Sequence, residues 1–331
     1  MKLSFKIIFI LMLCLTFMGC GVDRPPEDGE ANDLIVVGFS QIGAESNWRV
    51  ANTESIQAAL SEENGFMLIL DNARQQQENQ LKAVRTFIQQ GVDYIVLAPI
   101  VESGWESVLE EAKREGIPVI IVDRRVNVGN QGLYTTWVGA NFRQEAETAV
   151  SWLEEELLSS GREDETVNIL HVQGTLGGTA QIERSAGLEA AVERHSNWVI
   201  AAQLVGEYTQ AKGYEVVLEY LKQNQDIDVL YCENDDMAFG AMEAMDELNI
   251  AYGAEGGVIV ISFDAARTAL EACMEGKINL CVECNPLHGP KVAELIWQME
   301  SGVLPPKEIF VEEGSFTTEM LTEEIIAGRA Y

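Results

Sequence analysis

The chain has 331 residues, 47% of them hydrophobic, a size and content that suit two lobes with real apolar cores and exclude a disordered or collagen-like chain. Against 53 acidic residues stand 22 basic ones, for a formal charge of −31. A surface that negative repels phosphate backbones and anionic lipid, which argues against nucleic-acid binding.

The chain opens with Lys2 and Lys6 around the start of an apolar run, Ile7 to Phe17. That run is shorter than the ~20 residues needed to cross a bilayer, so residues 1–19 read as a signal peptide. Gly19 before Cys20 resembles the lipobox of bacterial lipoproteins, with Phe17 in place of the usual leucine. The resemblance implies that Cys20 is lipidated and becomes the mature N-terminus; the plainer alternative is an ordinary signal peptide that contains a cysteine. Residues 20–33 are polar, carry Pro25-Pro26 and show no apolar periodicity, as expected of a flexible tether. The expectation is an exported protein, held by lipid on the extracytoplasmic face of the cell membrane.

From Leu34 onward, short runs rich in Val, Ile and Leu alternate with helix-length amphipathic stretches. The runs are Leu34–Phe39, Phe66–Leu70, Tyr94–Ala98, Val119–Val122, Val167–Val172, Val199–Val205, Val229–Cys232, Val258–Phe263 and Leu280–Val282. Continuous apolar runs of that length suit parallel strands covered on both faces. Between them, Val50–Ser61, Gln77–Gln90, Val108–Glu115, Arg143–Glu156, Ala180–Arg194, Ala211–Lys222 and Met237–Leu248 have spacing near 3.6, with Gly65, Gly91, Gly116 and Gly276 as stops. The pattern predicts a doubly wound α/β architecture. It occurs twice, meeting near Tyr134–Asn141, and places a first lobe at 34–138 and a second at 139–283.

Four cysteines remain beyond the leader: Cys232, Cys273, Cys281 and Cys284. Cys281 and Cys284 form a C-x-x-C, but no second pair or nearby histidine completes a zinc set, and Pro286 follows where a redox motif would want a helix. No metal is expected, and a disulfide among the four stays unassigned.

In open parallel sheets, ligands sit beyond the carboxyl ends of the strands. Those positions hold Ser40, Glu45, Trp48, Arg49, Asp123 and Arg124 in the first series. In the second they hold Thr175, Arg184, Tyr208, Asn234, Asp235, Asp264 and Glu283. Carboxylates accept from hydroxyls while Arg and Asn donate in fixed forks, so pairs of them grip vicinal sugar hydroxyls. Trp or Tyr faces cover the apolar C–H side of a sugar ring. Phosphate would call for a P-loop, and Gly174-Thr175-Leu176-Gly177-Gly178 lacks both its lysine and its spacing. Each residue also has a bland reading: Asp123, Asp264 and Asn234 to Asp236 as helix caps, Trp48 as core, Arg184 in a surface ion pair. Their shared topological position favours a neutral polyol, with a monosaccharide the best class.

Here the residues resemble a known family. Val37-Gly38-Phe39-Ser40-Gln41 through Glu45-Ser46-Asn47-Trp48-Arg49, then Gln77-Glu78-Asn79-Gln80, Gly91-Val92-Asp93, Ile117-Pro118-Val119 to Asp123-Arg124, and Asn234-Asp235-Asp236-Met237 look like the sugar-binding proteins of bacterial ABC importers. The similarity is to the galactofuranose-binding branch of the ribose- and galactose-binding group. It implies a type I periplasmic-binding-protein fold, two lobes joined by three crossovers, with 284–309 returning to the first lobe and 310–331 to the second. It further implies that Glu45, Trp48, Arg49, Asp123, Arg124, Arg184, Tyr208, Asn234, Asp264 and Glu283 line the sugar site, with Thr175 and Asp235 as second choices, that the sugar is best guessed as galactofuranose, and that the closed protein delivers it to an ABC permease and its ATPase. A monomer without cofactor is expected. No D-x-N-x-D loop is present, so calcium is not implied.

An exported glycosidase is the reading from another class. Against it, G-x-S-x-G and H-E-x-x-H are missing, and His171, His195 and His288 are scattered. Two alternatives stay open: a sugar or autoinducer-like sensor for a membrane receptor, and a binding protein for a pyranose or pentose such as galactose or ribose.

Overall fold

The structure is a computed structural model and describes residues 34–331. The leader, Cys20 and the tether lie outside the described residues. Among the described residues, no helix is long and apolar enough to cross a membrane.

In chain order the elements are β1 (Ile35–Gln41), α1 (Asn47–Ala59), β2 (Phe66–Asn72), α2 (Gln77–Gln90), β3 (Tyr94–Leu97), α3 (Glu106–Arg114), β4 (Val119–Val122) and β5 (Thr136–Gly139). They continue with α4 (Phe142–Ser159), β6 (Val167–Gln173), α5 (Thr179–Arg194), β7 (Trp198–Val205), α6 (Gln210–Leu221), β8 (Val229–Cys232), α7 (Asp235–Leu248), β9 (Ile259–Asp264), α8 (Arg267–Met274) and β10 (Leu280–Glu283). Last come α9 (Gly289–Glu300), β11 (Glu308–Phe310), β12 (Ser315–Phe316) and α10 (Glu323–Ala327).

The strands form two six-stranded sheets of matching order, β2-β1-β3-β4-β5-β11 and β7-β6-β8-β9-β10-β12. Every pairing is parallel except the antiparallel edge of β12 on β10. Each order reverses direction around one strand, β1 or β6, and such a switch point opens a crevice at the carboxyl edge. The chain passes between the sheets three times: after β5, after β10 and after β11.

Side chains alternate across a strand, so each sheet buries two faces. Val37, Phe39, Val96 and Ile120 meet Ile56 of α1 and Val292, Leu295 and Ile296 of α9. Ile95, Leu97 and Ile121 meet Val84 and Phe87 of α2 and Val108 and Leu109 of α3. In the second sheet, Leu170, Leu230 and Val260 face α6, α7 and α8, while Ile169, Ile261 and Val282 face α4 and α5. Helix α9 thus docks on the first sheet although it follows the second in sequence. Gly289 makes that docking close: a Cβ there would stand 1.9 Å from the Ser55 carbonyl oxygen.

One local difference from the sequence reading bears on the site. Helix α1 begins at Asn47 rather than Val50, because the Ser46 hydroxyl caps it by accepting from the Arg49 amide at 3.1 Å. Trp48 and Arg49 therefore occupy its first turn. Cys232, Cys273, Cys281 and Cys284 are free thiols in buried positions.

Candidate functional site

Both switch points open toward one cavity between the lobes. Its walls come from the first two turns of helices, from strand ends and from the loops that follow them. Glu45, Ser46, Trp48 and Arg49 enter from the β1–α1 corner, and Asp123 and Arg124 from the end of β4. Phe142, Ala180, Arg184, Tyr208, Asn234, Asp264 and Cys284 enter from the other side.

Nine of the 13 residues singled out in the sequence line this cavity; Ser40, Thr175, Asp235 and Glu283 do not. Ser40 is buried within β1. Thr175 sits partly exposed in a loop whose neighbour Gly177 accepts from the Glu102 amide at 2.9 Å, a contact between lobes. Asp235 accepts from Ser262 and, at 2.8 Å, from the Ala266 amide. Glu283 is taken by Arg329, Tyr331 and the Gly314 amide. Ser46, Phe142, Ala180 and Cys284 were not foreseen. Phe142 and Ala180 stand in first helical turns after strands, the position searched, but a search for polar groups passes over the apolar ones.

The lining is a set of buried guanidinium–carboxylate pairs. Arg49 donates to Asp123 at 2.7 Å and to Glu45 at 3.0 Å. Arg184 donates to Glu145 at 2.7 Å, with Asp264 at 3.9 Å. Arg124 donates to the Ile100 carbonyl at 2.7 Å and lies 5.0 Å from the Tyr208 ring centre, a cation–π contact between the lobes.

Burial alone would raise the Asp123 carboxyl, but Arg49 and Arg124 hold it below its ordinary value. Asp264 goes the other way: burial, with Asp235 beside it, pushes it well above the usual carboxylate range despite Arg184. Burial likewise pushes the Tyr208 phenol up, with Glu233 adding to it. The cavity thus offers fixed cationic donors, an ionised acceptor in Asp123, and in Asp264 and Tyr208 groups held toward forms that donate and accept.

Four polar atoms of lining residues are buried with no hydrogen-bond partner among the described residues: Glu45 Oε2, Arg49 Nη1, Arg184 Nη2 and Tyr208 Oη. Buried polar groups in native proteins are nearly always satisfied, so these four atoms call for partners from outside the protein, a ligand or water. Two are donors, one is an acceptor and one is either, which complements hydroxyl groups.

The lobes are closed on one another. The Trp48 indole donates to the Cys284 carbonyl at 2.6 Å, and the Asn47 amide to Asp236 at 3.2 Å. Thr179 accepts from the Arg125 amide and donates to Glu102, both at 2.7 Å. Asn52 donates to the Pro286 carbonyl at 2.9 Å, which pins the second crossover to α1.

Residues 37–302 match the periplasmic binding protein domain. The chain belongs to the periplasmic binding protein family. It is 35% identical to the galactofuranose-binding protein YtfQ of Escherichia coli (strain K12) over 295 residues, which covers 88% of this chain and 90% of that protein. A solved structure from Mycobacterium smegmatis in complex with β-D-fucofuranose superposes with a TM-score of 0.82 at 38% identity, covering 86% of this chain and 92% of that one. The binding component of an arabinose ABC transporter from Shewanella sp. ANA-3, bound to α- and β-L-arabinofuranose, superposes with a TM-score of 0.80 at 36% identity, with coverage of 86% and 92%. The two sheets and three crossovers are the family's type I fold. Its members are solute-binding proteins rather than enzymes, and membership implies an extracytoplasmic location.

Proposed function

We propose that this protein captures a monosaccharide in furanose form, galactofuranose in the first instance, between its lobes and presents the closed complex to an ABC permease with its ATPase. The observation that carries this reading is the group of unpartnered atoms on Glu45, Arg49, Arg184 and Tyr208, drawn from both lobes. A ligand satisfying all four bridges the cleft and biases an open–closed equilibrium toward the closed state. Three relatives above 30% identity are described by furanose ligands, which supports the ring form. Trp48, Tyr208 and Phe142 offer apolar faces for the C–H side of a sugar, while Glu45 and Arg49 suit an exocyclic hydroxyl. A lipid on Cys20 would keep a monomeric receptor beside its permease.

Calorimetric titration of the protein from Gly21 onward, with methyl galactofuranoside and with free galactose, ribose and arabinose, tests the reading. One-to-one furanoside binding with weak pyranose binding is expected. Binding only to a pyranose would retract the ligand and keep the receptor. No heat with any of them, or hydrolysis of the furanoside, would overturn the function.

A further inference from the structure

Asp264, a lining residue, ends β9 in a turn with left-handed backbone: φ is 102° at Asp264 and 55° at Ala265. L-residues avoid that region, and such a conformation persists only where its surroundings over-determine it. Asp235 holds one side of the turn through the Ala266 amide at 2.8 Å. The other hold is Arg329, whose Nε donates to the Ala265 carbonyl at 2.9 Å. The same guanidinium donates through Nη1 to Glu283 Oε1 at 2.8 Å, which also accepts from the Tyr331 hydroxyl at 2.8 Å. Glu283 Oε2 accepts from the Gly314 amide at 2.9 Å. Glu283 closes β10 where the second crossover begins, and Gly314 lies in the third. Arg329 is itself clamped, 4.2 Å from the Tyr331 ring centre and 5.3 Å from that of Phe316. The Arg267 amide donates to the Tyr331 carbonyl at 2.8 Å, which ties this segment back to the turn.

We propose that Arg329, Glu283 and Tyr331 are positioning residues for ligand binding, holding the strained Asp264–Ala265 turn in its competent form and coupling it to two of the three crossovers. The proposal rests on the reading of the cavity as a sugar site that closes by hinge motion. None of the three residues lines the cavity. They act by keeping the competent turn populated. When a binding-competent state is only fractionally populated, apparent affinity falls by that fraction. The loss therefore falls on association, whereas loss of a direct ligand contact speeds dissociation.

Stopped-flow tryptophan fluorescence with methyl galactofuranoside would compare wild type with Arg329→Gln, Arg329→Lys and Tyr331→Phe. Arg329→Gln is expected to weaken binding about tenfold or more, the scale of one lost charge-assisted hydrogen bond, through a slower association rate. Lysine is a point donor and cannot serve Ala265 and Glu283 together, so Arg329→Lys falls between. Tyr331→Phe, the mildest change, shows the same effect at smaller size and serves if Arg329→Gln fails to fold. Amide hydrogen exchange of residues 264–267, measured without sugar, is expected to quicken at least tenfold in Arg329→Gln, the same scale seen directly. Wild-type association together with unchanged exchange overturns the proposal. Wild-type affinity in an Arg124→Ala control overturns the sugar-site reading instead, and the exchange measurement then decides the proposal without any ligand.

Discussion

The Trp48 indole nitrogen donates to the Cys284 carbonyl at 2.6 Å, so a residue in the first turn of α1 both lines the cavity and latches the second crossover. Trp48 also meets His288 edge-on, with ring centres 5.8 Å apart. Replacing Trp48 with Phe keeps an aromatic face and removes the latch. A buried neutral hydrogen bond contributes about 1 kcal/mol net, so Trp48→Phe should weaken sugar binding about fivefold. Trp48→Ala removes the face as well and should cost more. An unchanged titration in both variants would return Trp48 to the role of core residue.

Arg124 contacts both lobes, through the Ile100 carbonyl in one and the Tyr208 ring in the other. Arg124→Ala removes a fork of donors from the cavity without touching either sheet. Sugar binding should fall by about 100-fold or more, in line with loss of a buried charged anchor, while the thermal midpoint shifts by only a few degrees. Calorimetry and differential scanning on the same preparation check both halves.

Two glycines separate the site from the scaffold. A Cβ on Gly174 would overlap the Tyr208 ring at 1.8 Å, and one on Gly240 would stand 2.1 Å from the Gln210 carbonyl oxygen where α6 packs on α7. Gly174→Ala should displace Tyr208 and lower affinity. Gly240→Ala should cost about 1–3 kcal/mol of stability by overpacking and leave affinity near wild type at temperatures where it is folded. The opposite pairing, affinity lost in Gly240→Ala and kept in Gly174→Ala, would refute the placement of Tyr208.

His288 is buried beside Trp48 and is pushed down to about 4, mainly by burial, with Arg49 adding to the fall and Asp123 opposing it. The unfolded imidazole takes up its proton near pH 6.5, the native one near pH 4. This group's contribution to stability is therefore complete above pH 6.5 and is lost as pH falls toward 4, by about 3 kcal/mol in all. Asp235, raised by burial to about 7, has the opposite slope. The difference between wild type and His288→Gln isolates the histidine: urea midpoints should converge as pH falls from 6.5 to 4. Parallel curves across that window would show that His288 titrates normally.

Much of the fold is legible because its cause is local. Gln77–Gln90 is read correctly to both ends, since Gly91 at φ 66° stops the helix where its sequence says it should. The nine apolar runs each become a strand; those inside the sheets are buried on both faces, while the edge strands β2 and β7 leave Met67, Leu70 and Val199 exposed. The two-residue β12 and the three-residue β11 carry no such run, and their pairing with β10 and β5 comes from sheets assembled more than 20 residues earlier in the chain.

The candidate site is legible only by position. Asp264, Glu283 and Asp235 all stand at or just past strand ends and are alike in residue type, yet only Asp264 lines the cavity. What separates them is which partner reaches each carboxylate first: Arg329 and Tyr331 for Glu283, Ser262 and the Ala266 amide for Asp235. Those partners lie 27 to 48 residues away in sequence, and no pattern in the chain announces them.

The sequence alone determined the alternation of strand and helix, its repetition in two lobes, and the strand ends at which polar side chains gather, because apolar periodicity and helix stops act over a few residues. The tertiary structure decided which carboxylates meet a guanidinium, which polar atoms stay unpartnered around the cavity, and which segment clamps the turn that carries Asp264. Those outcomes depend on distances between the lobes and across the crossovers, and burial sets their electrostatics; neither exists until the sheets have packed.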